Sequence, residues 1–228
     1  MKLLHVDASA KRATSNSRAL ARQFIALLQQ GLPDLEVDYL DLTVDVPSHV
    51  TEEFARAIYT PKDLRTVEMH DLLADSDRMA TQLLAADLVV FAMPMYNWSM
   101  PSVFKAYIDN IIRAGLTYIS DEQGIIHGQL NKQRILFLTT RGADLGPESR
   151  YAGMDALTPA LQAAFKFIGA RHMHFVNAEP LEFAQPQARE AGLAKAKLEL
   201  AELAQTWLRT IADIEADTDF APSLEHAI

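Results

Sequence analysis

The sequence predicts an α/β fold: a doubly wound, five-stranded parallel sheet with helices on both faces and a helical insertion after the second strand. Short runs such as Leu88 to Met93 are apolar throughout, as strands covered on both sides require; a half-exposed strand would alternate. These runs alternate with segments whose apolar residues recur at helical spacing, giving five β/α units without an internal repeat. At 228 residues and 49% hydrophobic content, the chain is long enough to bury one substantial core.

Lys2 to Asp7 reads as the first strand. Leu20, Phe24, Leu27 and Leu28 then share one helical face until Gly31-Leu32-Pro33 stops the helix. Leu35 to Leu40 is the second strand. Residues 41–86 are too many for a simple crossover, so one or two inserted helices are expected, one starting with Thr60 as cap and Pro61 at its first position. The third strand, Leu88 to Met93, should end before Pro94, which has no amide hydrogen for a central sheet. Pro101 suits the first turn of a helix that carries Phe104, Tyr107, Ile108, Ile111 and Ile112 on one face. A hairpin is expected within Leu116 to Leu130, turning at Asp121-Glu122-Gln123-Gly124, followed by the fourth strand, Arg134 to Thr140. A helix over roughly 155–169 and a fifth strand, His172 to Ala178, complete the sheet. The last helix, from about Pro186, carries Leu200, Leu203, Trp207 and Ile211, so the domain is expected to span 1–213, with a loosely held tail over 214–228.

A net charge of -9 disfavours nucleic acid and anionic membranes as partners, and an anionic ligand needs a local site of its own. No apolar stretch is long enough to span a membrane, and the apolar run after Lys2 is too short for a secretion signal, so a cytoplasmic location is expected. Without cysteine there is no thiolate nucleophile or thiolate-held cluster, and redox chemistry would require a bound cofactor. His172 and His174 fall on one side of a strand, yet no third ligand stands at diagnostic spacing, so no metal is assigned.

Three loops carry candidate chemistry. After the first strand, Ser9, Ser15 and Ser17 crowd a helix amino terminus, where with the Asn16 amide they could hold a phosphate; the loop has no glycine and matches no Walker or dinucleotide fingerprint. After the third strand, Pro94, Met95, Tyr96, Asn97 and Trp98 offer a flat aromatic surface, an amide and main-chain donors suited to a planar heterocycle. After the fourth, Thr140, Arg141, Gly142 and Ala143 offer close backbone approach at Gly142, with Arg141 open to being a plain surface charge. Each alone is unremarkable as an ordinary cap or turn, but all lie at one rim of the sheet, where ligands of such folds bind.

Pro94-Met95-Tyr96-Asn97-Trp98, Lys105-Ala106-Tyr107-Ile108-Asp109, Arg113-Ala114-Gly115-Leu116-Thr117-Tyr118 and Thr139-Thr140-Arg141-Gly142, in that order, resemble the FMN-dependent NADH:azoreductases, also called FMN-dependent NADH:quinone oxidoreductases, of the flavodoxin-like superfamily. The resemblance implies that Ser9, Ser15 and Ser17 hold the FMN phosphate, that residues 94–98 lie along the isoalloxazine, and that residues 140–143 meet its pyrimidine end. It further implies a homodimer whose active sites are closed by the second subunit. The expected reaction is a ping-pong transfer of two electrons from NADH or NADPH to quinones or aromatic azo compounds, with the flavin rather than a side chain carrying the chemistry. Trp98 stands where a phenylalanine is common, and Ala143 replaces a second glycine. Ser120 and Ala164 stand where the family often has aromatics, which with Tyr118 implies an altered substrate pocket. The competing expectation is a one-electron carrier that binds FMN.

Overall fold

The structure, a computed structural model, describes residues 1–219, with side chains described through Asp213. Its sheet is built from β1 (Lys2–Asp7), β2 (Glu36–Asp41), β3 (Leu88–Pro94), β6 (Arg134–Thr140) and β7 (His172–Ala178), all parallel, in the order β2-β1-β3-β6-β7. The order reverses direction between β1 and β3, so the loops leaving these neighbours diverge and open a crevice at their carboxyl ends. An antiparallel hairpin of β4 (Tyr118–Ser120) and β5 (Ile126–Gly128) stands apart from the sheet.

Helices cover both faces. On one, α1 (Asn16–Gly31) and α6 (Pro186–Asp219) bury Leu20, Phe24, Leu200 and Trp207 against Leu3, Val90 and Leu136. On the other, α3 (Val67–Ala85), α4 (Ser102–Ile111) and α5 (Leu157–Phe167) bury Met79, Leu83, Phe104, Tyr107 and Phe165 against Val89, Phe91 and Phe137. The central strands therefore have apolar neighbours on both sides, which is why their sequences do not alternate. The inserted helix α2 (Glu52–Tyr59) packs on α3 through Phe54, Ala57 and Leu73.

The structure departs from expectation in three places. Thr60 and Pro61 do not start a long helix: Thr60 closes α2, Pro61 opens a single 3-10 turn over Lys62–Leu64, and α3 begins instead after Thr66, whose hydroxyl accepts from the Met69 amide. β3 includes Pro94, because the Met95 amide donates to the Thr140 carbonyl on the β6 side and the missing Pro94 hydrogen falls on the other side, beyond the last pair of β1 with β3. Helix α6 continues past Asp213 to Asp219, so the tail expected to be loose begins inside a helix; its remainder lies outside the described residues. Among the described residues no helix is long and apolar enough to cross a membrane.

Candidate active site

The first wall of the site is the loop from β1 into α1. Ser15 is the N-cap: its hydroxyl accepts from the Arg18 amide at 3.3 Å. Ser17, fully buried, lies behind it with the two hydroxyl oxygens 3.1 Å apart. When Ser17 donates to Ser15, both acceptor positions of the Ser15 oxygen are filled and its proton is left for a ligand. The first turn of α1 carries no acidic residue to oppose an anion at the helix's positive end. Beneath the loop, buried Arg18 donates to the Ser9 carbonyl at 2.8 Å, to both oxygens of Asp41 at 2.8 and 2.7 Å, and to Tyr39 at 2.9 Å. The Ser9 carbonyl is thus turned into the protein, away from any anion above the loop. Tyr39 donates to Asp7 at 2.9 Å, and burial together with that carboxylate pushes its hydroxyl up to about 12. Burial works against ionised Asp41, but hydrogen bonds from Arg18 and from the amide and hydroxyl of Thr43 prevail and hold it at about 2.

The second wall follows β3. Tyr96 and Ser99 exchange both backbone hydrogen bonds, at 2.9 and 3.0 Å, across a two-residue turn in which Asn97 has φ 48° and Trp98 φ 69°. Positive φ at both central positions is the mirror-image hairpin turn, which asparagine tolerates and tryptophan does not favour, at a cost of roughly 1–2 kcal/mol. The conformation is held from outside: the Trp98 carbonyl accepts from the Ala156 amide at 3.1 Å, and its ring lies 5.3 Å from that of Tyr151.

The third wall joins the ends of β6 and β7. Arg141 is 3% exposed, so it is no surface charge. Its guanidinium donates to the hydroxyls of Thr139 at 3.0 Å and Thr158 at 2.7 Å and pairs with Asp155 at 3.1 Å and Glu179 at 3.6 Å, locking the loop to α5 and to the end of β7. Burial pushes Glu179 up despite Arg141, whereas at Asp155 burial is outweighed by hydrogen bonds from Thr158 and Leu157 together with the Arg141 charge, and its carboxyl is lowered. The Gly142 carbonyl accepts from the amides of Leu181 and Phe183, and a side chain at position 142 would meet the Phe183 ring at 3.1 Å. The close approach that Gly142 permits is therefore by Phe183.

These walls enclose a cleft of about 570 Å3 across the carboxyl ends of the strands. Ser9, Ser15, Asn16, Pro94 to Trp98 and Thr140 to Ala143 line it together. Ser17 does not; it faces the interior behind Ser15. Nor do Tyr118, Ser120 and Ala164 reach the cleft of their own chain. Tyr118 packs edge-on against Phe167 at 5.0 Å, Ser120 is exposed on the hairpin, and Ala164, within α5, packs against the core. No motif in the sequence singles out Arg18 beneath the first loop, Lys11 and Thr14 within it, Leu145 beyond Ala143, or Leu181, Glu182, Phe183 and Arg189 on the rim, all but Arg18 lining the cleft. The turn after the fifth strand was the signal for the rim group, since it ends at the same edge of the sheet. Among the described residues no group of three or more His, Asp or Glu side chains is placed to hold a metal.

A sheet ordered 2-1-3-4-5 in its own strands, with a helix end and an aromatic turn meeting at its switch point, defines a flavodoxin-like protein. The family model for the flavodoxin-like fold matches residues 1–204. Within that class the chain belongs to the FMN-dependent NADH:quinone oxidoreductase family. A member from Trichormus variabilis is 38% identical over 210 residues, covering 91% of this chain and 97% of that one. Another, from Nostoc punctiforme, is 34% identical over 205 residues, covering 90% and 98%. The crystal structure of an azoreductase from Bacillus anthracis superposes with a TM-score of 0.81 at 27% identity, over 90% of this chain and 99% of that one.

Proposed function

We propose that this protein is a cytoplasmic oxidoreductase that binds FMN in the cleft and passes two electrons, in a ping-pong cycle, from NADH or NADPH to quinones and aromatic azo compounds. The observation that carries this reading is a cleft that joins the serine-capped amino terminus of α1 to an aromatic turn. Its volume lies within the range of about 300–1,000 Å3 usual for ligands of this size. The residues fit the group: the Ser9 and Ser15 hydroxyls, the Asn16 amide and Lys11 suit its phosphate, Met95 to Trp98 suit its ring system, and the backbone at Thr140 to Ala143 suits the polar edge of the ring.

When bound, FMN would supply hydride chemistry that the side chains of this cysteine-free chain do not. The chain itself supplies position and electrostatics. Arg18 keeps a carbonyl out of the anion site, the Arg141 network fixes the loop that faces the ring's edge, and the turn at Asn97 and Trp98 holds its aromatic wall without reorganisation. The test is to mix the FMN-loaded protein anaerobically with NADH and then with benzoquinone while following the flavin absorbance. Rapid bleaching and full recovery are expected. A flavin that stays oxidised with NADH refutes the enzyme reading and leaves the one-electron carrier.

The active unit in this reading is a homodimer. Tyr59 and Phe167, exposed at 77% and 45%, lie beside half-buried Tyr118, so an apolar surface joins the end of α2, the hairpin and α5. Ala164 lies one turn from Phe167. A second copy docked here would bring Tyr118, Ser120 and Ala164 toward its own cleft, which gives those residues the substrate-pocket role they lack within one chain.

A further inference from the structure

A second cleft, of about 260 Å3, adjoins the first and shares Ala143 and Phe183 with it. Phe183 is 76% exposed, an unusual position for a phenylalanine, and its ring stands on Gly142 between the two spaces. An aromatic path crosses the same boundary. Trp98 lines the first cleft, Tyr151 lines the second, and their rings are 5.3 Å apart. The Arg150 guanidinium lies 4.6 Å over the Tyr151 ring and has no carboxylate partner among the described residues. Arg189, one residue beyond Ala188 of the second cleft, faces the first and is likewise without an ion pair among the described residues. The acid that lines the second cleft, Asp144, is turned into its own loop, where it accepts from the Gly146 amide at 2.8 Å.

This combination suits a planar ring joined to phosphates. In a chain of net charge -9, Arg150 and Arg189, without ion pairs among the described residues, stand beside the exposed Phe183 ring and half-buried Tyr151 and offset Asp144 and Glu182, the acids lining the two clefts. Flat rings gain from stacking on tyrosine and phenylalanine, and guanidinium groups bind phosphate oxygens in bidentate fashion. A dinucleotide donor that presents its nicotinamide inside the first cleft must lay its remaining half along the neighbouring surface. We propose that the second cleft, with Tyr151 and Arg150 on its wall and Arg189 at its boundary with the first, receives the adenosine diphosphate portion of that donor. The proposal rests on the functional reading above, since it assigns the donor's second half to a place beside the redox site.

The experiment has a binding arm and a kinetic arm. In the first, the FMN-loaded protein is titrated calorimetrically with ADP-ribose, which lacks the nicotinamide. Binding is expected, weakened about 10-fold or more in Tyr151→Ala and in Arg150→Gln and retained in Tyr151→Phe, which keeps the stacking face. In the second, KM for NADH should rise by a similar factor in Arg150→Gln, whose side chain lines only the second cleft. KM for reduced nicotinamide mononucleotide, which lacks the adenylate half, should stay unchanged, as should KM for benzoquinone. ADP-ribose that fails to bind the parent protein, or binds all variants alike, overturns the proposal, as does a parallel rise in KM for both donors. If the parent oxidises neither donor, the oxidoreductase reading fails, and the ADP-ribose titration still decides the subsite.

Discussion

Ser17 and Asn97 illustrate two ways in which one side chain shapes the site without chemistry of its own. Ser17 is buried behind Ser15 and shares a hydrogen bond with its hydroxyl; with Ser17 as the donor, the Ser15 proton is left to point at a ligand. Ser17→Ala should therefore weaken FMN by about 5-fold, the worth of roughly 1 kcal/mol of hydrogen bonding, while leaving riboflavin, which has no phosphate, bound as before. Fluorescence titration of the two flavins measures this ratio, and an equal loss for both would show that Ser17 matters only for folding. Asn97 occupies φ 48°, where a short polar side chain is tolerated and a branched apolar one is not. Asn97→Leu is expected to lower the thermal midpoint, to the extent of about 1–2 kcal/mol, and to reduce flavin affinity or turnover. Unchanged values for both would mean that the turn neither holds strain nor contacts the flavin.

At the scale of elements, the buried charges under the first loop couple acid stability to the edge of the sheet. Asp41, on β2, is held at about 2 against an ordinary carboxylate value of 3.8. Because the folded value is the lower one, its ionisation stabilises the fold above the ordinary range, and that stabilisation is lost as pH falls from there toward 2. It amounts to about 2 kcal/mol, so urea midpoints measured between about pH 5 and pH 2 should fall less steeply in Asp41→Asn than in the parent. The hairpin depends on a different device. Gly128 lies against the backbone of Ile168 and Gly169, where an added methyl group would sit 2.1 Å from main-chain atoms, and the Leu130 amide continues the contact by donating to the Ile168 carbonyl at 2.8 Å. Backbone cannot yield as a flexible side chain can, so Gly128→Ala should displace the hairpin from the end of α5. A thermal midpoint several degrees lower, with loss of amide-exchange protection at Leu130, is the expected result.

For the whole molecule, the apolar surface around Tyr118 predicts that oligomeric state and substrate turnover change together. Phe167→Asp places a charge on that surface, beside Tyr118, without touching the cleft of its own chain. Sedimentation should show a dimer in the parent and a monomer in the variant, with acceptor reduction impaired; a monomer with full acceptor turnover would refute the shared active site. The sequence by itself determined the sheet, its flanking helices and most of the cleft, because apolar strands buried on both faces and loops contiguous in the chain leave local marks. Ser9, Asn16, Pro94 to Trp98 and Thr140 to Ala143 belong to such segments, and the parallel sheet brings their ends to one rim. Only the tertiary structure decided the rest. Arg18 and Arg141 look like surface charges until strands distant in sequence bring carboxylates and hydroxyls around them. Leu181, Phe183 and Arg189 join the cleft only because β7 pairs beside β6. Ser17 turns inward, although its spacing matches its neighbours, because a helix rotates successive residues to different faces. Tyr118, Ser120 and Ala164 lie away from their own cleft, since a hairpin tied to α5 faces outward from the sheet. Periodicity and motif are local properties that the chain writes in order; the surroundings of a charge, and the face a residue finally presents, depend on contacts between segments far apart in it.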